Sequence, residues 1–340
     1  MRMGILDIGS QGTHLDVLSL RAGRPVRVLA VSKRPNRLAA SIRPDGTIEA
    51  DGTERLVASI RSALRAAQRE GLTELIAFGT SSIRDAPNRA EVRARIAKTC
   101  RIDLGFISGE HDALLTYRAA REWAGSEATD LFVADIGGGT LELAAGDARR
   151  PHWAASLPLG ARRLTRTCLP DDPPKSKHVE RLRSRLSQDL AELRDDHAGS
   201  LPPDALVLAT SKTLAQLAVL TGGRDAHGRP AITRRALRRQ VPRLAGMRWA
   251  ERADLHGISE GRAPQILAGA LVAEAVMDTF DLRCLTVCPW ALREGIALTR
   301  RLRLDAESGD RAARAALERN QVADLLEAVE RLRAPLSRTA

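Results

Sequence analysis

Leu131-Phe132-Val133-Ala134-Asp135-Ile136-Gly137-Gly138-Gly139-Thr140-Leu141-Glu142 is the stretch that decides the fold. Its first six residues are apolar around one carboxylate and read as a strand ending in aspartate. Three consecutive glycines make a poor strand, so they need another reason, here a turn into a second strand from Leu141 to Ala145. Near the N-terminus, Leu6-Asp7-Ile8-Gly9-Ser10 repeats this grammar. A second echo follows each copy: Ala77-Phe78-Gly79-Thr80-Ser81 after the first, Val207-Leu208-Ala209-Thr210-Ser211 after the second, both at an interval of roughly seventy residues. The ordered repetition predicts duplicated α/β domains facing one another across a cleft.

The surrounding chain fits that plan. Leu56, Val57, Ile60 and Leu64 recur at helical spacing among charges over 51–70, and Leu75 to Phe78 is a short apolar run. Helices are expected over 88–99 and 112–123, with a strand at 104–107 between them. Residues 124–130 are small and polar and read as a domain junction. Further helices are expected over 179–194, over the strongly apolar 263–280, and over 306–334; residues 169–174 and 221–230 read as loop and connection. The organisation expected is an N-terminal domain over 1–125, a second over 126–300 and a helical extension over 301–340.

The N-terminus runs straight into a strand without the apolar core or cleavage site of a signal peptide, and no run of 18 apolar residues occurs. A cytoplasmic protein without membrane association is expected. Four cysteines, Cys100, Cys168, Cys284 and Cys288, are too few for a disulfide scaffold and lack a zinc-ligand partner pair, so they read as reduced core thiols. The formal charge is +11, almost all of it from arginine, which favours a polyanionic partner. Aromatic residues make up only 3%, so stacking platforms for nucleic-acid bases are scarce and phosphate is favoured over specific nucleic acid.

A carboxylate at a strand end followed by glycines suits phosphate and metal. Glycines bring backbone N–H groups close to phosphate oxygens, while Asp7 and Asp135 can hold Mg²⁺ directly or through water. Glu142 shares an extended face with Thr140, so a second carboxylate reaches the same site. Arg84, just after Gly79-Thr80-Ser81-Ser82, suits a phosphate clamp. Ser108-Gly109-Glu110-His111-Asp112 reads as a strand-to-helix turn, and Glu110, His111 and Asp112 are each candidates for orienting a water.

Together these segments resemble the exopolyphosphatase and guanosine-pentaphosphate phosphohydrolase family, most of all its short two-domain bacterial members. The resemblance rests on Asp7-x-Gly9-Ser10 with His14, Thr80-Ser81-x-x-Arg84-Asp85-Ala86-x-Asn88, Ser108-Gly109-Glu110-x-Asp112-Ala113 and Asp135-Ile136-Gly137-Gly138-Gly139-x-x-Glu142. It continues in Ser156-Leu157-Pro158-Leu159-Gly160-Ala161-x-Arg163, Ala209-Thr210-Ser211-Lys212-Thr213, Arg262-Ala263-Pro264-Gln265 and Cys288-Pro289-Trp290-Ala291-Leu292-Arg293-Glu294-Gly295, and covers roughly residues 4–300.

The resemblance implies an α/β fold of two ribonuclease H-like domains, as in the actin, hexokinase and sugar-kinase superfamily. It implies a hydrolase that releases orthophosphate from the end of inorganic polyphosphate with Mg²⁺ or another divalent cation. The alternatives are removal of a 5′-phosphate from a phosphorylated guanosine nucleotide, nucleoside triphosphate hydrolysis, or a weakened relative that binds polyphosphate or an alarmone as a regulator. A homodimer is possible within this family. Asp112, Glu142 and Glu110 become the catalytic candidates, and Asp7, Asp135 and Glu142 the metal-binding ones. Gly9, Ser10, Gln11, Lys33, Arg37, Arg84, Gly137, Gly138, Gly139, Thr140 and Arg262 become the phosphate-binding set. Several positions depart from the family pattern. Asp112 stands where a glutamate is usual, one methylene or about 1.5 Å shorter in reach. Gln11 replaces an asparagine, Gly12 a hydroxyl residue, Leu114 an arginine and Leu141 another hydroxyl.

Overall fold

The structure, a computed structural model, describes residues 1–125, 129–197, 201–202 and 204–334. Of the junction read at 124–130, residues 126–128 lie outside these, as do 335–340 of the terminal extension. In chain order the elements begin with β1 (Arg2–Ile8), β2 (Gly12–Ser19), β3 (Arg27–Pro35), α1 (Ala50–Arg69), β4 (Glu74–Gly79), α2 (Ser81–Arg84), α3 (Arg89–Cys100), β5 (Gly105–Phe106) and α4 (Gly109–Ala124). They continue with β6 (Asp130–Ile136), β7 (Leu141–Asp147), β8 (Pro151–Leu157), α5 (Ala161–Cys168), α6 (Ser176–Asp196), β9 (Leu206–Thr210) and α7 (Ser211–Thr221). Then come β10 (Ala231–Thr233), α8 (Arg234–Ala245), α9 (Trp249–Ala253), α10 (Ile266–Thr279), β11 (Cys284–Val287), α11 (Leu292–Glu307), α12 (Arg311–Leu317), α13 (Asn320–Glu330) and β12 (Arg333–Ala334).

Two compact units partition the chain: Met1–His111 with Arg293–Ala340, and Asp112–Leu292. Each holds one sheet built the same way. In the first unit the order is β12-β4-β1-β2-β3, with β5 pairing β4; β1, β2 and β3 are antiparallel neighbours and β4 runs parallel to β1. In the second the order is β10-β11-β9-β6-β7-β8, again with three antiparallel strands and then β9 parallel to β6. The duplicated grammar of the sequence is thus a duplicated topology, a strand hairpin followed by a crossover helix and a parallel strand.

Burial explains the sequence pattern. In β6 the odd and even residues serve opposite faces. Phe132, Ala134 and Ile136 pack into the large core with Leu186, Leu190 and Leu237. Leu131 and Val133 pack with Tyr117 of α4, Ala144 and Leu208. Asp135 continues the second series, so it ends the face that α4 covers. Tyr117 donates to the Asp147 carbonyl, at the opposite end of the β6–β7 hairpin. Helix α10 is apolar nearly all round because it is buried, as its sequence predicts.

Three findings differ from the sequence reading. Helix α4 starts at Gly109, three residues before the expected Asp112, so Glu110 and His111 stand on its first turn with Asp112 and not in a preceding turn. The expected strand at 104–107 shortens to Gly105–Phe106 because β4's free edge is shared: β12 pairs with Leu75 and Ile76, β5 with Phe78 and Gly79. The third is a matter of register. Asp135 lies opposite Thr210, whereas Asp7 lies opposite Phe78, two residues short of the matching Thr80.

Candidate active site

In the first unit, the β1–β2 turn is closed by Gly9 N–H donating to the Gly12 carbonyl at 3.0 Å. Asn36, only 1% exposed, pins this turn from below. Its Nδ2 donates to the Gly9 carbonyl at 2.9 Å, its N–H to the Gln11 carbonyl, and its Oδ1 accepts from Leu38 N–H. Ala39 N–H donates to the Ser10 carbonyl. Arg37 adopts a left-handed conformation (φ 48°) within this network, and it and Lys33 are exposed. Arg84 donates to the Ile107 carbonyl at 2.8 Å and pairs with Asp85, which holds its guanidinium beside the Gly79–Thr80 turn.

Asp7 ends β1, and its Oδ1 is covered without a hydrogen-bond donor. Burial pushes its carboxyl up to about 6, against the opposing pull of Arg293 and with a further push from Asp16 and Glu294. Arg293 lies 2.5 Å from Asp16 Oδ2 and 3.9 Å from Asp7 Oδ2, so one guanidinium balances two carboxylates. Arg300, two turns further along α11, fixes the helix by a buried fork onto Glu74, both contacts at 2.8 Å.

The second unit gives the fuller constellation. Gly137 N–H donates to the Thr140 carbonyl at 2.9 Å and closes the triple-glycine turn. The start of α5 takes up the turn's carbonyls: Ala161 N–H donates to Gly137, Arg162 and Arg163 N–H to Gly138, and Gly160 N–H to Gly139. A Cβ on Gly160 would sit 2.2–2.4 Å from the Gly139 and Thr140 backbone, so only glycine allows this approach. With the carbonyls engaged, the amides of Gly138 and Gly139 have no acceptor among the described residues, the arrangement that suits an incoming anion.

Thr210, fully buried at the end of β9, donates to Asp135 Oδ2 at 2.6 Å. Burial raises the Asp135 carboxyl, opposed by this hydrogen bond and then by Arg262. Arg262 itself donates to Thr213 Oγ1 at 3.2 Å. Glu142 lies opposite Asp135 across β6–β7 and accepts from Ser156 on β8 at 2.9 Å. Asp112 Oδ1 accepts from Thr116 one turn along α4 at 3.4 Å.

The structure therefore gathers the expected residues into two sets. Asp7, Gly9, Ser10, Gln11, Lys33, Arg37, Arg84 and Glu110 belong to the first unit; Asp112, Asp135, Gly137, Gly138, Gly139, Thr140, Glu142 and Arg262 belong to the second. Among these, Glu110 is exposed and stands two residues from Asp112 on one helix, a spacing that does not share a face. The sequence reading missed Asp16, Asn36, Arg162, Ser156, Thr210 and Arg293 as site residues. Ser156, Thr210 and Arg293 lay in quoted motifs but carried no assigned role.

Two aspartates at strand ends, each before a tight glycine turn, on duplicated sheets of the actin-like ATPase fold, define a phosphate-handling protein. The profile of the Ppx/GppA phosphatase family matches residues 17–304, and the chain belongs to that family. It is 41% identical over 312 residues to a protein of Mycobacterium tuberculosis named Exopolyphosphatase 1, covering 91% of this chain and 90% of that one. The Mycobacterium leprae protein of the same name is 40% identical over the same length. Among solved structures, an exopolyphosphatase from Cytophaga hutchinsonii matches with a TM-score of 0.77 at 22% identity, covering 88% of this chain and 98% of that one. A Ppx/GppA family member from Aquifex aeolicus matches with a TM-score of 0.73 at 23% identity, covering 89% and 98%. No helix of the described residues is long and apolar enough to cross a membrane.

Proposed function

We propose that this chain is an exopolyphosphatase, a phosphoanhydride hydrolase that releases orthophosphate from the end of inorganic polyphosphate. The observation that carries the reading is the second unit's loop: Gly138 and Gly139 amides beside Asp135, with Arg262 and the α5 arginines close by. The Mycobacterium relatives named exopolyphosphatase support the same substrate.

The chain's own groups divide the work. The loop amides and Arg262 hold phosphate oxygens and stabilise charge that develops on them. Thr210 fixes one oxygen of Asp135 and leaves the other for the site. Asp112, at the start of α4, orients the attacking water, its Oδ1 steadied by Thr116. In the first unit, Arg84 and the Gly9–Gln11 turn, held by Asn36, bind phosphate oxygens, and Lys33 and Arg37 add positive charge near that turn.

Mg²⁺ suits the residues present. In the first unit Asp7 offers hard oxygen donors, and its Oδ1 is covered yet has no hydrogen-bond donor; in the second unit Asp135 and Glu142, opposite each other across β6–β7, offer the same kind of donor. No group of three or more His, Cys, Asp or Glu among the described residues forms a ready metal cage. One or two carboxylates together with substrate oxygens would hold the ion. When bound, the ion supplies positive charge against the phosphate.

The test is orthophosphate release by the purified chain, with and without Mg²⁺, from long-chain polyphosphate, guanosine pentaphosphate and ATP. Release from polyphosphate at a kcat/KM at least tenfold above the two nucleotides is expected. Preference for either nucleotide would replace this substrate, and polyphosphate binding without release would make the chain a regulator.

A further inference from the structure

Helix α5 carries three arginines beside the triple-glycine loop, Arg162, Arg163 and Arg166, that the sequence reading left without a role. Arg163 Nε donates to the Gly139 carbonyl at 2.9 Å and ties the helix to the loop. The Arg162 guanidinium lies over Gly138: a Cβ there would meet its Cζ and both terminal nitrogens at 3.1–3.2 Å. Arg166 follows one turn later and is exposed. Positions i and i+4 share a helix face about 6 Å apart, so Arg162 and Arg166 form a short basic line that begins at the loop and runs outward.

Burial, together with Arg166, Arg262 and Arg163, pushes Arg162 down to about 10. Arg262 is lowered as well, mainly by burial. A planar guanidinium binds phosphate through two N–H groups at once. The loop's amides suit one phosphate, and the Arg162 guanidinium lies over Gly138 of that loop.

We propose that α5 is a track for the substrate chain: Arg162 holds the phosphate next to the one in the glycine loop, and Arg166 holds a phosphate further along. The proposal rests on the polyphosphate reading above and deepens it. Tripolyphosphate, with two phosphates beyond the loop, ends short of Arg166 and engages Arg162 alone, whereas a long chain engages both, so the track favours chain substrates.

The experiment compares wild type with Arg162→Gln, Arg162→Lys and Arg166→Ala on tripolyphosphate and on long-chain polyphosphate. Arg166→Ala is expected to raise KM for the long chain about fivefold or more and to leave tripolyphosphate within about twofold, with kcat little changed. Arg162→Gln should raise KM about tenfold or more on both, and Arg162→Lys should recover only part, because an ammonium is not a fork. Each lost arginine should lower the slope of log Kd against log salt by about one. Long-chain KM values within about twofold of wild type in both Arg166→Ala and Arg162→Gln would overturn the track. Should Arg162→Gln fail to fold, the exposed Arg166→Ala decides alone. Titration calorimetry with long-chain polyphosphate separates the two readings. A wild type that releases no phosphate defeats the hydrolase reading, while weaker binding by Arg166→Ala still supports the track and unchanged binding overturns it.

Discussion

Thr210 Oγ1 lies 2.6 Å from Asp135 Oδ2, a hydrogen bond that joins the ends of two parallel strands 75 residues apart. Its counterpart is missing in the first unit, where Thr80 sits two residues out of step with Asp7. The two aspartates therefore differ in kind: Asp135 is oriented by a hydroxyl, and Asp7 is balanced by Arg293 with one oxygen left without a donor.

Thr210→Val should lower kcat by about ten- to a hundredfold with KM changed less than about threefold. Hydrogen bonds to charged groups contribute roughly 1.5–3 kcal/mol, and here that energy fixes the orientation of Asp135. Thr210→Ser should recover most of the rate. Steady-state kinetics with a thermal melt as the fold control would decide it; a Val variant at full rate would remove Thr210 from the site.

Asp7→Asn should stabilise the protein while abolishing metal-dependent turnover. The folded carboxyl titrates at about 6 against an ordinary 3.8. At pH below about 4 both folded and unfolded forms are protonated, and no penalty applies. As pH rises from about 4 to 6 the unfolded chain ionises first, so wild type loses stability over that window and keeps the deficit above it. The variant avoids this loss, so its advantage should grow from near zero at pH 4 to ~1–3 kcal/mol at pH 7 without divalent metal. Denaturant melts across that range would show it. A constant difference would mean that the Asp7 charge carries no folding cost.

Gly160→Ala and Gly138→Ala should separate two kinds of close approach. On Gly160 a Cβ would meet backbone of the glycine loop at 2.2–2.4 Å, and backbone cannot step aside. We expect a loss of ~2–4 kcal/mol and phosphate release down at least a hundredfold. On Gly138 the nearest atoms to a Cβ belong to the Arg162 guanidinium, which can swing away. That variant should fold normally and show a raised KM. Equal stability loss in both would contradict the packing described.

Asp112→Glu should raise the rate of phosphate release about tenfold, since it restores the methylene that the family's usual glutamate has. Misplacement by about 1 Å at a reacting centre costs on the order of a hundredfold. Asp112→Asn should be nearly inactive, and Glu110→Gln should behave as wild type because its side chain shares no face with Asp112. Activity lost in Glu110→Gln but kept in Asp112→Asn would move the water-orienting role to Glu110.

Much of this was legible in the sequence because it is local. Leu6 to Ile8 and Leu131 to Ile136 are apolar strands that break at glycines, and α1 and α10 follow apolar spacing. β3 and β8 were not read because β3 is mostly exposed and β8 half exposed, and both mix apolar with charged or small side chains, so no alternation stands out. The partnership of Arg293 with Asp16 spans 277 residues and leaves no local trace. Asn36 looks like an ordinary turn residue until its amide is seen pinning Gly9 and its backbone Gln11. Arg162 is one arginine in a chain rich in them, and only the close approach of α5 to Gly138 distinguishes it.

The most direct measurement is the initial rate of orthophosphate release from long-chain polyphosphate by wild type and by Asp135→Asn at saturating Mg²⁺, with both proteins shown to be folded. The account predicts steady release by wild type and a loss of at least a hundredfold in the variant, because the exchange removes the charge and keeps the shape of a carboxylate that Thr210 orients toward the substrate loop. Release by Asp135→Asn at the wild-type rate would contradict it.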